Sequence, residues 1–153
     1  MKLTDHFWLS ELTESQTATR HGIDNAPSPE IIQNLRHTAQ QMEIVRAALG
    51  SNVIVVSSGY RCPELNARIG GSATSQHMTG EACDFVCRSF GDPHDVALKI
   101  SETPGIGFDQ LIYEGTWVHI SFLSPRQPKP RREILTWSPR TGYSHGINPI
   151  SKG

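Results

Sequence analysis

Two imidazoles and a carboxylate, His77, Asp84 and His119, stand in this chain beside a glutamate and an arginine, Glu114 and Arg61, that would complete a hydrolytic site. In the segment from Ser75 to Asp84, a reversal at Thr79-Gly80 would set His77 opposite Ala82. Strand alternation then places Asp84 on the face of Ala82, diagonal to His77 and within reach of a shared ion. If His77 lies in a loop instead, the glycine still folds the chain back towards Asp84. A second hairpin, turning at Gly115-Thr116, pairs Glu114 with Trp117 and His119 with Ile112, so Glu114 and His119 share a face.

Two imidazoles and one carboxylate leave a tetrahedral zinc site one position short, which is how catalytic zinc keeps room for a water. Zinc lowers the pKa of that water towards about 7 and polarises a carbonyl, and a nearby carboxylate can take the proton and hand it to a leaving amine. Glu114 is placed to be that base. Arg61 is placed to grip a substrate carboxylate or an oxyanion through paired, charge-assisted hydrogen bonds. Each residue alone has a plainer reading: a packed histidine, a buried acid satisfied by backbone donors, a turn glutamate, an arginine that anchors its loop.

The elements that must position these groups follow from periodicity. Ser28-Pro29-Glu30 and Gly50 bracket a helix whose Ile31, Leu35, Ala39, Met42, Val45, Ala48 and Leu49 fall on one face. A turn of helix is expected at Leu9 to Ser15, and a loop from Gly22 to Pro27. Val53 to Val56 reads as a buried strand that leaves through Ser57-Ser58-Gly59-Tyr60-Arg61. Short helices are expected at Pro63 to Arg68 and from Asp92 or Pro93 to about Ser101, with a surface loop at Gly70 to Ser75. Strands are expected at Ala82 to Val86, Phe108 to Tyr113 and Thr116 to Phe122. This order implies an α+β domain with a mostly antiparallel sheet flanked by helices.

A chain of 153 residues, 37% of them apolar, closes one core and not two. Lys and Arg total 14 against 15 Asp and Glu, a balance that gives no reason to expect nucleic acid or an anionic membrane as partner. No apolar run of about 18 residues occurs, and the first residues lack the apolar core of a signal peptide, so a soluble protein made in the cytoplasm is expected. Cys62, Cys83 and Cys87 fit reduced thiols; a thiol centre on Cys83 and Cys87 is the weakest functional reading. After Phe122 the chain carries five prolines and six Lys or Arg against the single acid Glu133. Residues 124–153 therefore read as a basic tail following a domain over 1–123, with Ile134-Leu135-Thr136-Trp137 adding one edge strand.

The ordered pattern Ser75-x-His77-x-x-Gly80-x-Ala82-x-Asp84 and then Trp117-Val118-His119, preceded by Ser58-Gly59-Tyr60-Arg61, resembles the M15 zinc peptidases of the D-alanyl-D-alanine carboxypeptidase type. The resemblance implies the Hedgehog/DD-peptidase fold and one Zn2+ ion bound through His77, Asp84 and His119. It implies substrate contacts at Arg61, Tyr60 and Ser75, and a substrate in the peptide part of bacterial peptidoglycan, met in the periplasm or cell wall. The oligomeric state is open, with a monomer favoured. Members are often encoded by phages or prophages, as lysis or tail-associated enzymes. Carboxypeptidases of this type carry a histidine where this chain has Glu114, and dipeptidase relatives carry a glutamate where it has Thr116. A cell-wall-binding or phage structural module that keeps the zinc fold without catalysis is the rival from another class.

Overall fold

The computed structural model describes residues 1–125 and 128–150. The chain opens with a small antiparallel pair, β1 (Lys2–Thr4) and β2 (Phe7–Trp8), and two short helices, α1 (Leu9–Thr13) and α2 (Gln16–Arg20). The long helix α3 (Pro29–Ala48) begins where the Ser28 hydroxyl accepts a hydrogen bond from the Ile31 amide. Its buried residues, Leu35, Thr38, Ala39, Met42 and Val45, recur at three- and four-residue steps. Each large side chain there contributes about 1.5–3 kcal/mol of burial.

A six-stranded sheet carries the rest: β3 (Val55–Ser58), β4 (Ala82–Val86), β5 (Gln110–Tyr113), β6 (Val118–Ser121), β7 (Glu133–Ser138) and β8 (Gly142–His145), in the order β3-β4-β6-β5-β7-β8. Helix α4 (Pro63–Arg68) leaves β3, and α5 (Pro93–Ser101) is capped by the Asp92 carboxylate. All neighbouring strands are antiparallel except β5 and β7, which are parallel. This is an α+β fold with a mixed, mostly antiparallel sheet.

Alternation divides the sheet into two faces. Cys83 and Phe85 of β4, Val118 and Ile120 of β6, and Leu111 and Tyr113 of β5 join the core with α3 and α5. The other face carries one continuous cross-strand row, because Ser58 pairs with Asp84, Asp84 with His119, His119 with Ile112, Ile112 with Leu135, and Leu135 with His145.

Two expectations change. The strand expected at Val53 to Val56 runs over Val55–Ser58, and it is an edge strand with Val53 and Val55 exposed. Its β-branched residues satisfy an edge as well as a core. The strand at Ile134 to Trp137 is present as β7, but β8 covers it, so it is not the edge. The segment beyond Phe122 thus extends the sheet by a hairpin. Two of its charges are used in place: Arg131 pairs with buried Asp109 at 2.7 Å, and Arg132 donates to the carbonyls of Ser101, Thr103 and Ile106 while lying over the Phe108 ring.

Candidate metal centre and cleft

His77 sits in a tight helical turn over Gln76–Thr79 and not in a strand, so the expected pairing of His77 with Ala82 does not form. Gly80 ends the turn in the left-handed region at φ 77°, where a Cβ would also press on Leu35 of α3 at 3.1 Å. Helix α3 holds the turn from outside: the Thr38 hydroxyl donates to Gly80 O at 2.7 Å, and the Asn34 amide donates to Thr79 O at 2.9 Å. The fold-back itself brings His77 to Asp84, as the glycine requires. The second hairpin keeps its expected register, with Ile112 opposite His119 and the Glu114 amide donating to Trp117 O.

His77, Asp84 and His119 offer ligand atoms that lie within 4.8 Å of one another. His77 Nε2 is 3.2 Å and His119 Nδ1 2.9 Å from Asp84 Oδ1, and the two rings meet edge to face at 5.1 Å between centroids. The tautomer of His77 follows from its neighbour. Nδ1 lies 2.7 Å from Gly59 O, a carbonyl that can only accept, so Nδ1 carries the proton and Nε2 has a free lone pair. Nε2 is buried and makes no properly aligned hydrogen bond, although it faces the Asp84 oxygen. Burial pushes the His77 imidazole below its usual pKa against the pull of Asp84, keeping it neutral. Burial would raise the Asp84 carboxyl, but the hydrogen bond from His119 and the closeness of the two imidazoles outweigh it and hold the group well below the ordinary range. A neutral imidazole with a free nitrogen, a second imidazole and an ionised carboxylate form a donor set that fits a zinc ion.

Arg61 is tied to the ligand turn through its amide, which donates to His77 O at 3.0 Å. Its guanidinium lines the cleft, with Nε buried and without a partner. Glu114 Oε2 accepts from Trp117 Nε1 at 2.9 Å. Burial, reinforced by the charge of Asp84, pushes its carboxyl up, partly offset by His119, Trp117 and Arg61. Ser75 lines the cleft, and its hydroxyl accepts from the His77 amide at 3.2 Å. Tyr60 is not brought there: its side chain is 8% exposed and packs in the core, while its amide donates to Leu12 O. Neighbouring Gly59 already runs against α1, so the loop turns Tyr60 inward as it turns Arg61 outward.

The cleft over these groups encloses about 630 Å³. The sequence model of the peptidase M15 family matches residues 5–121. The chain belongs to the M15 peptidase family. A curated relative, the zinc D-Ala-D-Ala carboxypeptidase of Streptomyces albus G, is 35% identical over 54 residues, which cover 35% of this chain and 21% of that protein. The M15 match ends before the hairpin, yet Arg131, Trp137 and Tyr143 of the hairpin segment line the same cleft. Sequence reasoning passed over these three because composition marked the segment as tail; the alternation of Leu135 and Trp137 was the available signal.

Cys83 points away from Asp84 into the core, so it is no ligand of this centre, and Cys62, Cys83 and Cys87 are all free thiols. A further group, Asp92, His94 and Asp95, clusters at the start of α5, where the Asp92 carboxylate accepts from the Asp95 amide and His94 packs edge-on against Tyr113. Helix capping and ring packing account for it. Among the described residues, no helix is long and apolar enough to cross a membrane.

Proposed function

We propose that this M15 peptidase hydrolyses a peptide bond in the peptide part of bacterial peptidoglycan, with one zinc ion held by His77, Asp84 and His119. The observation that carries the reading is the buried, proton-free Nε2 of His77, aimed at Asp84 beside His119 in an open cleft. When bound, zinc supplies Lewis acidity at the scissile carbonyl and makes water a nucleophile near neutral pH.

The remaining work falls to side chains. The Glu114 carboxylate takes a proton from the attacking water and delivers it to the leaving nitrogen, so that amide and water become carboxylate and amine. The raised affinity of Glu114 for protons suits both halves of that transfer. Arg61 holds a substrate carboxylate with a guanidinium whose Nε the protein leaves unpaired, and Ser75 presents a hydroxyl at the cleft wall. The activity named for the Streptomyces relative favours a terminal D-Ala-D-Ala bond, with an internal stem-peptide bond as the other member of the class. Such a substrate places the site of action at the cell wall.

The test is a digest of purified muropeptides with zinc-loaded protein, with and without chelator, read by mass spectrometry. Chelator-sensitive release of D-Ala or of a stem fragment is expected. Absent or chelator-insensitive cleavage by folded, zinc-loaded protein overturns the reading. In the same assay Glu114→Gln keeps zinc and loses about 10²–10⁴-fold in turnover.

A further inference from the structure

The face that carries the metal centre does not stop at β5. Tyr113 pairs with Thr136 in parallel register, and Glu114 and Trp137, one residue further along each segment, both line the cleft. Trp137 in turn pairs directly with Tyr143 of β8. Directly opposed residues share a face, so Trp137 and Tyr143 stand together, in the same cleft as Glu114. Both aromatic residues line the cleft, and neither belongs to the core cluster. Tyr143 is 64% exposed, a large ring left open beside a catalytic face.

The hairpin that presents them is fixed at its base. Arg131 binds Asp109, Gln110 donates to Glu133 at 2.8 Å, and the Thr136 hydroxyl donates to Gly146 O at 2.7 Å. Rigid aromatic side chains on a rigid support lose little conformational freedom on binding, which makes them effective anchors.

We propose that Trp137 and Tyr143 form a subsite for the part of an oligopeptide substrate remote from the scissile bond, so that the cleft prefers a stem peptide of about four or five residues to a dipeptide. The proposal rests on the peptidase reading and names the substrate length for that same site. Strands lie about 4.7–4.9 Å apart, so the three steps from β6, which bears His119, to β8 span about 14 Å, the length of about four extended residues at roughly 3.3 Å each. The occupant is argued from continuity: the shelf is the outer half of the cleft that contains Arg61 and Glu114.

The test uses calorimetric titration of the zinc-loaded full chain carrying Glu114→Gln, so that ligand is not consumed, with a stem pentapeptide ending in D-Ala-D-Ala and with acetyl-D-Ala-D-Ala. The pentapeptide is expected to bind about tenfold or more tightly than the dipeptide, and Tyr143→Ala to remove most of that advantage while leaving dipeptide binding unchanged. Trp137→Ala, checked for folding by circular dichroism, should act the same way. Tyr143 is exposed enough that its alanine variant keeps the test valid if Trp137→Ala fails to fold. Equal affinity for the two ligands, or a Tyr143→Ala variant that binds the pentapeptide as its parent does, overturns the subsite. A pentapeptide advantage lost in Tyr143→Ala, together with no cleavage by the unsubstituted enzyme, supports the subsite and overturns hydrolysis; cleavage without that advantage does the reverse.

Discussion

Replacing Gly59 with alanine should loosen the fold and the metal centre together. The new Cβ would lie 2.4 Å from Leu12 O, 2.8 Å from Leu12 Cα and 2.9 Å from its carbonyl carbon, all backbone atoms that cannot rotate aside. Ordinary contact begins at 3.4 Å, so α1 and the Gly59 loop must separate by about 1 Å. That movement breaks the 2.7 Å hydrogen bond from the Tyr60 amide to Leu12 O. Overpacking of this kind costs about 1–3 kcal/mol and the lost hydrogen bond about 0.5–1.5, against about 0.4–1 regained from a stiffer unfolded chain. The net loss is about 0.5–4 kcal/mol, or roughly 1–16 °C in Tm for a chain of this size. Gly59 O is also the acceptor that orients His77 Nδ1, and loss of such a support weakens zinc binding by about 10–100-fold. Thermal unfolding in chelator isolates the first effect, and competition with a chromophoric zinc chelator measures the second. A Tm within 1 °C of the parent, measured as a difference of about zero, together with unchanged zinc affinity, would refute the argument.

Zinc at about 100 times its dissociation constant should stabilise the chain by about 2.7 kcal/mol, or roughly 5–10 °C, and His119→Ala should abolish most of that shift in a thermal-shift assay. Asp109 is held below its usual range chiefly by hydrogen bonds from Arg131. A folded value below the unfolded one means this stabilisation is complete above the unfolded value, about 3.9, and is lost as pH falls through the folded one. Asp109→Asn should therefore cost about 1.5–3 kcal/mol at pH 7 and progressively less in acid, as measured by urea unfolding across pH. Burial pushes the Cys83 thiol far up, so a maleimide should modify half-buried Cys62 in the native protein and reach Cys83 only on unfolding, as peptide mapping would show.

The parts of the site that were legible in the sequence are those set by short-range geometry. The turn at Gly115, with φ 86°, fixes the β5–β6 register, and alternation does the rest for Glu114 and His119. A left-handed glycine at position 80 is compatible with either a hairpin or a tight helical turn. The choice was made by Asn34 and Thr38, more than 40 residues upstream, whose hydrogen bonds capture the Thr79 and Gly80 carbonyls. The direction of Tyr60 was equally hidden, since it depends on α1 lying against Gly59. The anchoring of the basic segment was hidden for the same reason: composition cannot show that Asp109, three carbonyls and an aromatic ring receive Arg131 and Arg132.

The parallel pairing of β7 with β5 has a consequence for anyone who excises this M15 family member by its family boundary. Cut after residue 121, the fragment would retain His77, Asp84 and His119, the candidate metal ligands, but leave β5 as a bare edge, with Leu111, Ile112 and Tyr113 losing the cover of the hairpin. An uncovered, apolar strand is a template for a second copy of itself. Such a fragment should aggregate on expression, and its failure would say nothing about whether the proposed catalytic residues are sound.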